Sequence, residues 1–170
     1  MDMKWIGAIL ILAGCSGIGL YMAGQYRKEL NSLRRLIYAL DFMSSELQYR
    51  LTPLPDLCVL VSKECSGKLN LFFLGLAEEL DRQIKPDMMT CVRSVIHRIG
   101  SLPQVTKNML LKLGSTLGRF DLNGQIKAIE SVRHSSRNAL SKMESEKSVR
   151  IRSYQTLGVC AGAALVIILI

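Results

Sequence analysis

The sequence predicts an all-α protein: an antiparallel helical bundle of about six helices, flanked by an N-terminal and a C-terminal transmembrane helix. Three observations predict it. Each end carries a charge-free apolar run, nearly every segment between them repeats its apolar residues every three or four positions, and no segment alternates apolar and polar residues long enough to argue a strand.

The first run extends from Trp5 to Ala23 without a charged residue, close to the ~20 residues that a helix needs to cross a ~30 Å hydrocarbon core. Arg27, Lys28, Arg34 and Arg35 follow it, whereas Lys4 ahead of it is offset by Asp2. Basic residues beside a span favour the cytoplasmic side, so the N-terminus is expected outside and the rest within. The same run contains Leu12–Ala13–Gly14–Cys15, which matches the cleavage box of bacterial lipoproteins. A processed Cys15 would make the chain a lipid-anchored or membrane-bound regulator facing outward. The flank asymmetry favours the uncleaved helix, with Cys15 as a small apolar residue in mid-membrane; the lipoprotein reading stays open.

The second run, Tyr154 to Ile170, follows Lys147, Arg150 and Arg152 and predicts the same cytoplasmic middle. The expected organisation is therefore a span over 5–24, a cytoplasmic helical domain over 25–153 and a span over 154–170. Gly158 and Gly162 are spaced for close packing of membrane helices, as are Ala13 with Gly17 and Gly19 with Ala23. Such residues are also simply common in spans, and the spacing does not decide between the two readings.

Within the middle, Leu30, Leu33, Ile37, Leu40, Ser44, Leu47 and Leu51 form one helical stripe, and nothing breaks the pattern back to Ala23. The membrane helix is expected to run straight into this one, with Glu46 and Arg50 as an i,i+4 pair. The stretch LTPLPD stops it. Thr52 is placed to cap a second helix over 53–65, and Pro53 suits its first turn. Its face carries Leu54, Leu57, Val61 and Cys65. After the turn at Ser66–Lys68 comes a third helix over 69–84, with Phe72, Phe73, Leu76 and Leu80, where Asn70 caps or interrupts the start. A fourth, over 87–99, carries Met88, Cys91, Val95 and Ile99. A fifth, over 103–119, carries Val105, Met109, Leu110 and Leu113. Gly114 and Gly118 share a face of it, which reads either as a frayed end or as close approach of another backbone. A sixth starts near Asp121, shows Ile126, Ile129, Val132, Leu140 and Met143, and runs on toward the second span.

Composition excludes more than it assigns. The net charge is +8, but the basic residues are scattered and do not alternate with aromatics, so no nucleic acid is expected as partner; a basic domain beside anionic lipid explains the balance better. The five cysteines form no disulfide framework: Cys58 and Cys65 lie two turns apart, and Cys91 stands alone. Cys58 and Cys91 offer themselves as native labelling sites for topology. His97 and His134 have no metal-spaced partners, CSGK at 65–68 lacks the upstream glycine of a Walker loop, and no nucleophile elbow is present. Neither a cofactor nor an enzymatic activity is expected.

Two stretches, LRRLIYALDFMSSELQYRLTPLPD (33–56) and LGSTLGRFDLNGQ (113–125), together resemble the hallmarks of the stage III sporulation protein AB family of endospore-forming bacteria. The resemblance extends over essentially the whole chain. It implies likeness to the F platform proteins of type II secretion and type IV pili, whose cytoplasmic domains are antiparallel helical bundles. It further implies a non-enzymatic membrane anchor in the channel complex joining mother cell and forespore, in the mother-cell membrane, with a stage III sporulation protein AA-like ATPase as partner beside other channel-complex membrane proteins or further copies of the chain. The family stretches fall on Leu36, Leu40, Glu46, Tyr49, Pro53, Leu54, Gly114, Leu117, Gly118, Asp121 and Gln125. Glu46, Tyr49, Asp121 and Gln125 would supply a docking patch, while Pro53, Leu54, Gly114, Leu117 and Gly118 would be structural. Asp121 also suits the cap of the last helix.

Overall fold

The computed structural model describes residues 2–82, 87–117 and 122–169, omitting the side chains of most of 2–19 and of about half of 154–169. Among the described residues there are six helices and no strand: α1 (Asp2–Arg50), α2 (Leu54–Glu64), α3 (Lys68–Asp81), α4 (Met88–Ile99), α5 (Gln104–Thr116) and α6 (Leu122–Leu169). The chain divides into two compact units. One is Asn31–Ser141; the other combines Met1–Leu30 with Lys142–Ile170.

In the unit Asn31–Ser141, α1 buries a broader face than its seven-residue stripe suggests. Leu33, Leu36, Ala39, Leu40 and Met43 have no exposed surface, and Ile37, Ser44 and Leu47 are buried with them. This is the wide apolar band of a helix packed on several neighbours rather than one. Leu51 departs from the expectation. It adopts φ 54, which ends the helix, and its side chain is 63% exposed. A leucine in the left-handed region no longer points where helical spacing would put it.

The middle helices stack in chain order, α2 on α3, α3 on α4 and α4 on α5. Leu57, Cys58, Val61, Phe72, Phe73, Leu76, Val95, Leu110 and Leu113 are fully buried among them. Phe72 and Phe73 meet edge to face at 5.2 Å and 80°, the arrangement that the ring quadrupole favours. Burial of each such side chain contributes about 1.5–3 kcal/mol.

The helix ends follow local chemistry, with two corrections. Thr52 does not cap α2: the N-cap is Pro53, with no side-chain cap, and its carbonyl accepts from Leu57 N at 2.8 Å. Proline fixes φ near −55° here and so sets the entry of the chain by itself. Asn70 neither caps nor interrupts α3. It lies within the first turn and donates through Nδ2 to the Ser62 carbonyl at 2.7 Å, tying α3 to the end of α2. Gly67, at φ 67, makes the reversal between them, and Gly100, at φ 74, ends α4. Asp87 caps α4, accepting from Thr90 N at 3.3 Å. The chain around Lys85–Pro86, expected to separate α3 from α4, lies outside the described residues.

The unit of Met1–Leu30 with Lys142–Ile170 contains the first part of α1 and the last part of α6. Tyr26 Oη donates to the Met143 carbonyl at 2.8 Å within it. The expected continuity is present, for α1 is unbroken through Ala23 and α6 through Ser153. Among the described residues no helix is long and apolar enough to cross a membrane. Much of both apolar runs, Trp5–Ala23 and Tyr154–Ile170, falls on side chains outside them, as do Cys15 and the surroundings of Gly158 and Gly162.

Gly114 shows why one helix position excludes a side chain. A Cβ there would stand 2.8 Å from Val92 Cγ2 and 2.9 Å from Val92 Cβ. The close neighbour is thus a side chain of α4, not a backbone. Since α5 ends at Thr116, Gly118 lies past its end and outside the described residues. Alanine at 114 would gain about 1 kcal/mol of helix propensity but lose about 1–3 kcal/mol to overpacking, because Val92 Cβ cannot swing away. Urea denaturation of the full chain in detergent should find Gly114→Ala less stable by about 1–2 kcal/mol. In a Val92→Ala background the same change should become neutral or stabilising; an unchanged penalty there would refute the clash.

Candidate functional site

Hydrogen bonds within the unit Asn31–Ser141 set the relative levels of three helices. Thr106 of α5 donates to Ser32 of α1 at 3.0 Å. Nearer the other end of α5, Lys112 donates to Ser135 of α6 at 2.7 Å. Asp41 of α1 receives Arg133 at 2.9 Å and Arg137 at 3.0 Å, both from α6. Thus α5 rises alongside α1, and α6 runs back against both. At 1.5 Å per residue, the nine residues from Asp41 to Arg50 are matched on α6 by the stretch from Arg133 and Arg137 back toward its first turns. The end of α1, the end of α5 and the start of α6 therefore gather at one end of this unit.

That end collects most of the singled-out residues. Tyr49 is 78% exposed, Leu51 two residues on is exposed as well, and so is Leu122 at the start of α6. Pro53 is exposed and Leu54 half-buried where α2 begins. Gln125 is half-buried in the first turn of α6. Leu117 and Gly114 are buried and support the end of α5. Asp121 precedes the first residue of α6 but lies outside the described residues, as does Gly118. Gly158 and Gly162 belong to the other unit.

Glu46 is the unusual member. Its side chain is 13% exposed and faces the Arg50 guanidinium at 3.7 Å, a separation that attracts but is too long for a hydrogen bond. Its Oε2 is buried with no hydrogen-bond partner. A carboxylate oxygen left in this way is costly, and the attraction of the Arg50 guanidinium offsets part of that cost.

A small open pocket of about 200 Å³ lies elsewhere on the unit, lined by Arg34, Arg35, Tyr38, Glu64, Cys65 and Ser66. Two of its lining residues are joined, Arg35 donating to Ser66 Oγ at 2.7 Å. The Cys65 thiol is pushed up to about 11, chiefly by burial and then by the Glu64 charge, with Arg35 acting in the opposite direction. Cys58 is pushed up to about 12 by burial alone. Both thiols are therefore poor nucleophiles at neutral pH. Cys58 and Cys91 are also buried, so the expectation that they report topology by native labelling is corrected.

Sequence reasoning missed the Asp41–Arg133–Arg137 cluster, because its members are 92 and 96 positions apart. It also missed Tyr38 and the exposure of Leu51. A tyrosine four positions beyond the exposed Arg34 lies on the outer face of α1, and that spacing was the available signal. His97 and His134 are exposed, and among the described residues no three metal-ligating side chains cluster.

Residues 4–170 match the family model described as stage III sporulation protein AB. The chain is 24% identical over 170 residues to the stage III sporulation protein AB of Bacillus subtilis (strain 168), covering 98% of this chain and 99% of that one. A solved structure of a stage III sporulation protein AB superposes with a TM-score of 0.62 at 21% identity, covering 72% of this chain and 98% of its own. At that identity the likeness is one of fold.

The thiols give a direct check of the geometry. In the folded chain a maleimide should modify Cys65 slowly at pH 8, its rate rising about tenfold per pH unit as the thiolate fraction grows toward pH 11. Cys58 and Cys91 should react only after unfolding. Rapid modification of Cys58 in the native protein at neutral pH would refute the packing of α2.

Proposed function

Because the chain belongs to the stage III sporulation protein AB family, a family of sporulation proteins, we propose that it is a non-enzymatic membrane platform. It anchors a secretion-type ATPase, stage III sporulation protein AA-like, to the channel complex between mother cell and forespore. In this reading residues 5–24 and 154–170 cross the mother-cell membrane, with the N-terminus outside and the helical middle in the cytoplasm. Basic residues on the inner side of both apolar runs support that orientation.

The observation that carries the docking role is the convergence of the two family stretches, 33–56 and 113–125, at one end of the helical unit. There Tyr49 projects into solvent, and a short distance back along α1 lies the partly exposed Glu46, whose Oε2 has no hydrogen-bond partner. A large exposed aromatic beside a half-buried charge is the kind of anchor around which interfaces concentrate their energy. The exposed part of the Glu46 carboxyl offers a basic partner side chain one charge to pair with. The buried Gly114, Leu117 and Leu57 beneath fix the helix ends that present these groups. The lipid-anchored alternative requires cleavage ahead of Cys15, inside the unbroken helix α1. The mass of the N-terminal peptide separates the two: a lipidated Cys15 would defeat the cytoplasmic placement.

With the full chain in nanodiscs and the purified ATPase in solution, Tyr49→Ala should weaken binding at least tenfold, about 1.4 kcal/mol. Glu46→Lys should weaken it further, while circular dichroism stays helical for both. Unchanged affinity in both folded variants would remove this end from the interface. For orientation, Ser45→Cys on the exposed face of α1 should resist a membrane-impermeant thiol reagent in intact cells and react once they are opened. Labelling in intact cells would overturn the proposed placement.

A further inference from the structure

The pocket of about 200 Å³ in the unit Asn31–Ser141 has two walls. Arg34, Arg35 and Tyr38 of α1 form one, and Glu64, Cys65 and Ser66, where α2 ends, form the other. The Arg35 guanidinium is held across them by its bond to Ser66 Oγ at 2.7 Å, and it pairs with no carboxylate among the described residues. A guanidinium carries five N–H donors, so this one bond leaves Arg35 most of its capacity. Tyr38 is 56% exposed, and its hydroxyl has no hydrogen-bond partner among the described residues.

Charge and size narrow the occupant. The lining holds two guanidinium groups against one carboxylate, that of Glu64, and the Cys65 thiol stays protonated at neutral pH. The single positive charge left over suits a carboxylate better than a phosphoryl group, which carries close to two negative charges. Sites for whole small molecules run to about 300–1,000 Å³, whereas this one has room for a single side chain. Its surroundings point to a protein as the source. Tyr38, Phe42, Ser45 and Tyr49 follow one another along α1 at spacings of four, three and four, and therefore share a face. Phe42 is half-buried and the other three are exposed. This stripe runs about 16 Å from the docking end at Tyr49 back to the pocket, so the pocket lies at the far edge of one continuous surface.

We propose that the pocket receives an Asp or Glu side chain of the docked ATPase, its carboxylate on the Arg35 guanidinium and the Tyr38 hydroxyl, while apolar residues of the same segment lie on Phe42 and Tyr49. The inference rests on the ATPase reading above and names the chemistry of the segment that docks: acidic at one end and apolar along its length. Its test separates the two. The full chain in nanodiscs is titrated with the purified ATPase at several salt concentrations.

Arg35→Gln should weaken binding at least tenfold and flatten its dependence on salt. Glu64→Gln should tighten binding about threefold, because it removes the one charge that repels the incoming carboxylate. The exposed Arg82→Gln, away from the pocket, should leave the affinity unchanged. p-Benzoylphenylalanine in place of Tyr38 should crosslink to an ATPase peptide that contains Asp or Glu. Weakening in Arg35→Gln without tightening in Glu64→Gln reads as damage to the turn and overturns the carboxylate contact. Unchanged affinity in Arg35→Gln, beside weakened binding in Tyr49→Ala, removes the pocket from the interface while the docking reading survives. A wild-type chain that does not bind the ATPase overturns both. Loss of binding after phosphatase treatment of the ATPase would assign the pocket to a phosphoryl group, and crosslinking to a second copy of the chain would assign the surface to self-association; either overturns the proposal.

Discussion

The buried face of α1 between Leu30 and Leu47 is the surface on which the helical unit is assembled. A single helix can bury so wide a band only if several neighbours cover it at once, and the polar ties show which they are. Ser32 meets α5, Arg35 meets the turn after α2, and Asp41 meets α6. The ion pairs at Asp41 are partly exposed and worth little as stability, about 1 kcal/mol or less each. Their value is positional. They set the height at which α6 passes α1 and thereby which residues share the end of the unit.

That placement gives the functional reading its shape. Tyr49 and Gln125 are far apart in sequence, and no helical period connects them. The ion pairs of Asp41 with Arg133 and Arg137 bring the first turns of α6 to the level where α1 stops. The same end is built from rigid parts, with Pro53 setting the entry of α2 and Val92 packed against Gly114. The proposed docking surface, on helix ends held in this way, would bind without first having to order itself, which avoids part of the entropic cost of association.

Much of the fold was legible from spacing alone. The apolar period located the six helices found among the described residues, and the unbroken pattern through Ala23 joined the first run to the helix that follows. Failures occurred where one backbone angle or one long-range partner decides the outcome. Leu51 fits the stripe by number, yet leaves it because φ turns positive one residue after α1 ends. Thr52 has the right chemistry for a cap, but Pro53 occupies the position. Asn70 spends its amide on the previous helix instead of its own. Cys58 and Cys91 looked like usable probes because sequence does not say which face of a short helix is covered on both sides. Of the candidate site, the participating stretches were legible but their convergence was not, since the Asp41 pairing has no local signature.

Tyr26 grips a main-chain carbonyl, not a side chain, on α6. The latch is therefore blind to the identity of residue 143: evolutionary drift there leaves it closed, whereas loss of the Tyr26 hydroxyl opens it. An insertion or deletion on either helix would offer the hydroxyl a different carbonyl, rotated by about 100° and displaced by about 1.5 Å. Lineages of this protein should accordingly tolerate substitutions freely along that part of α6 while holding the number of residues on either side of the latch constant.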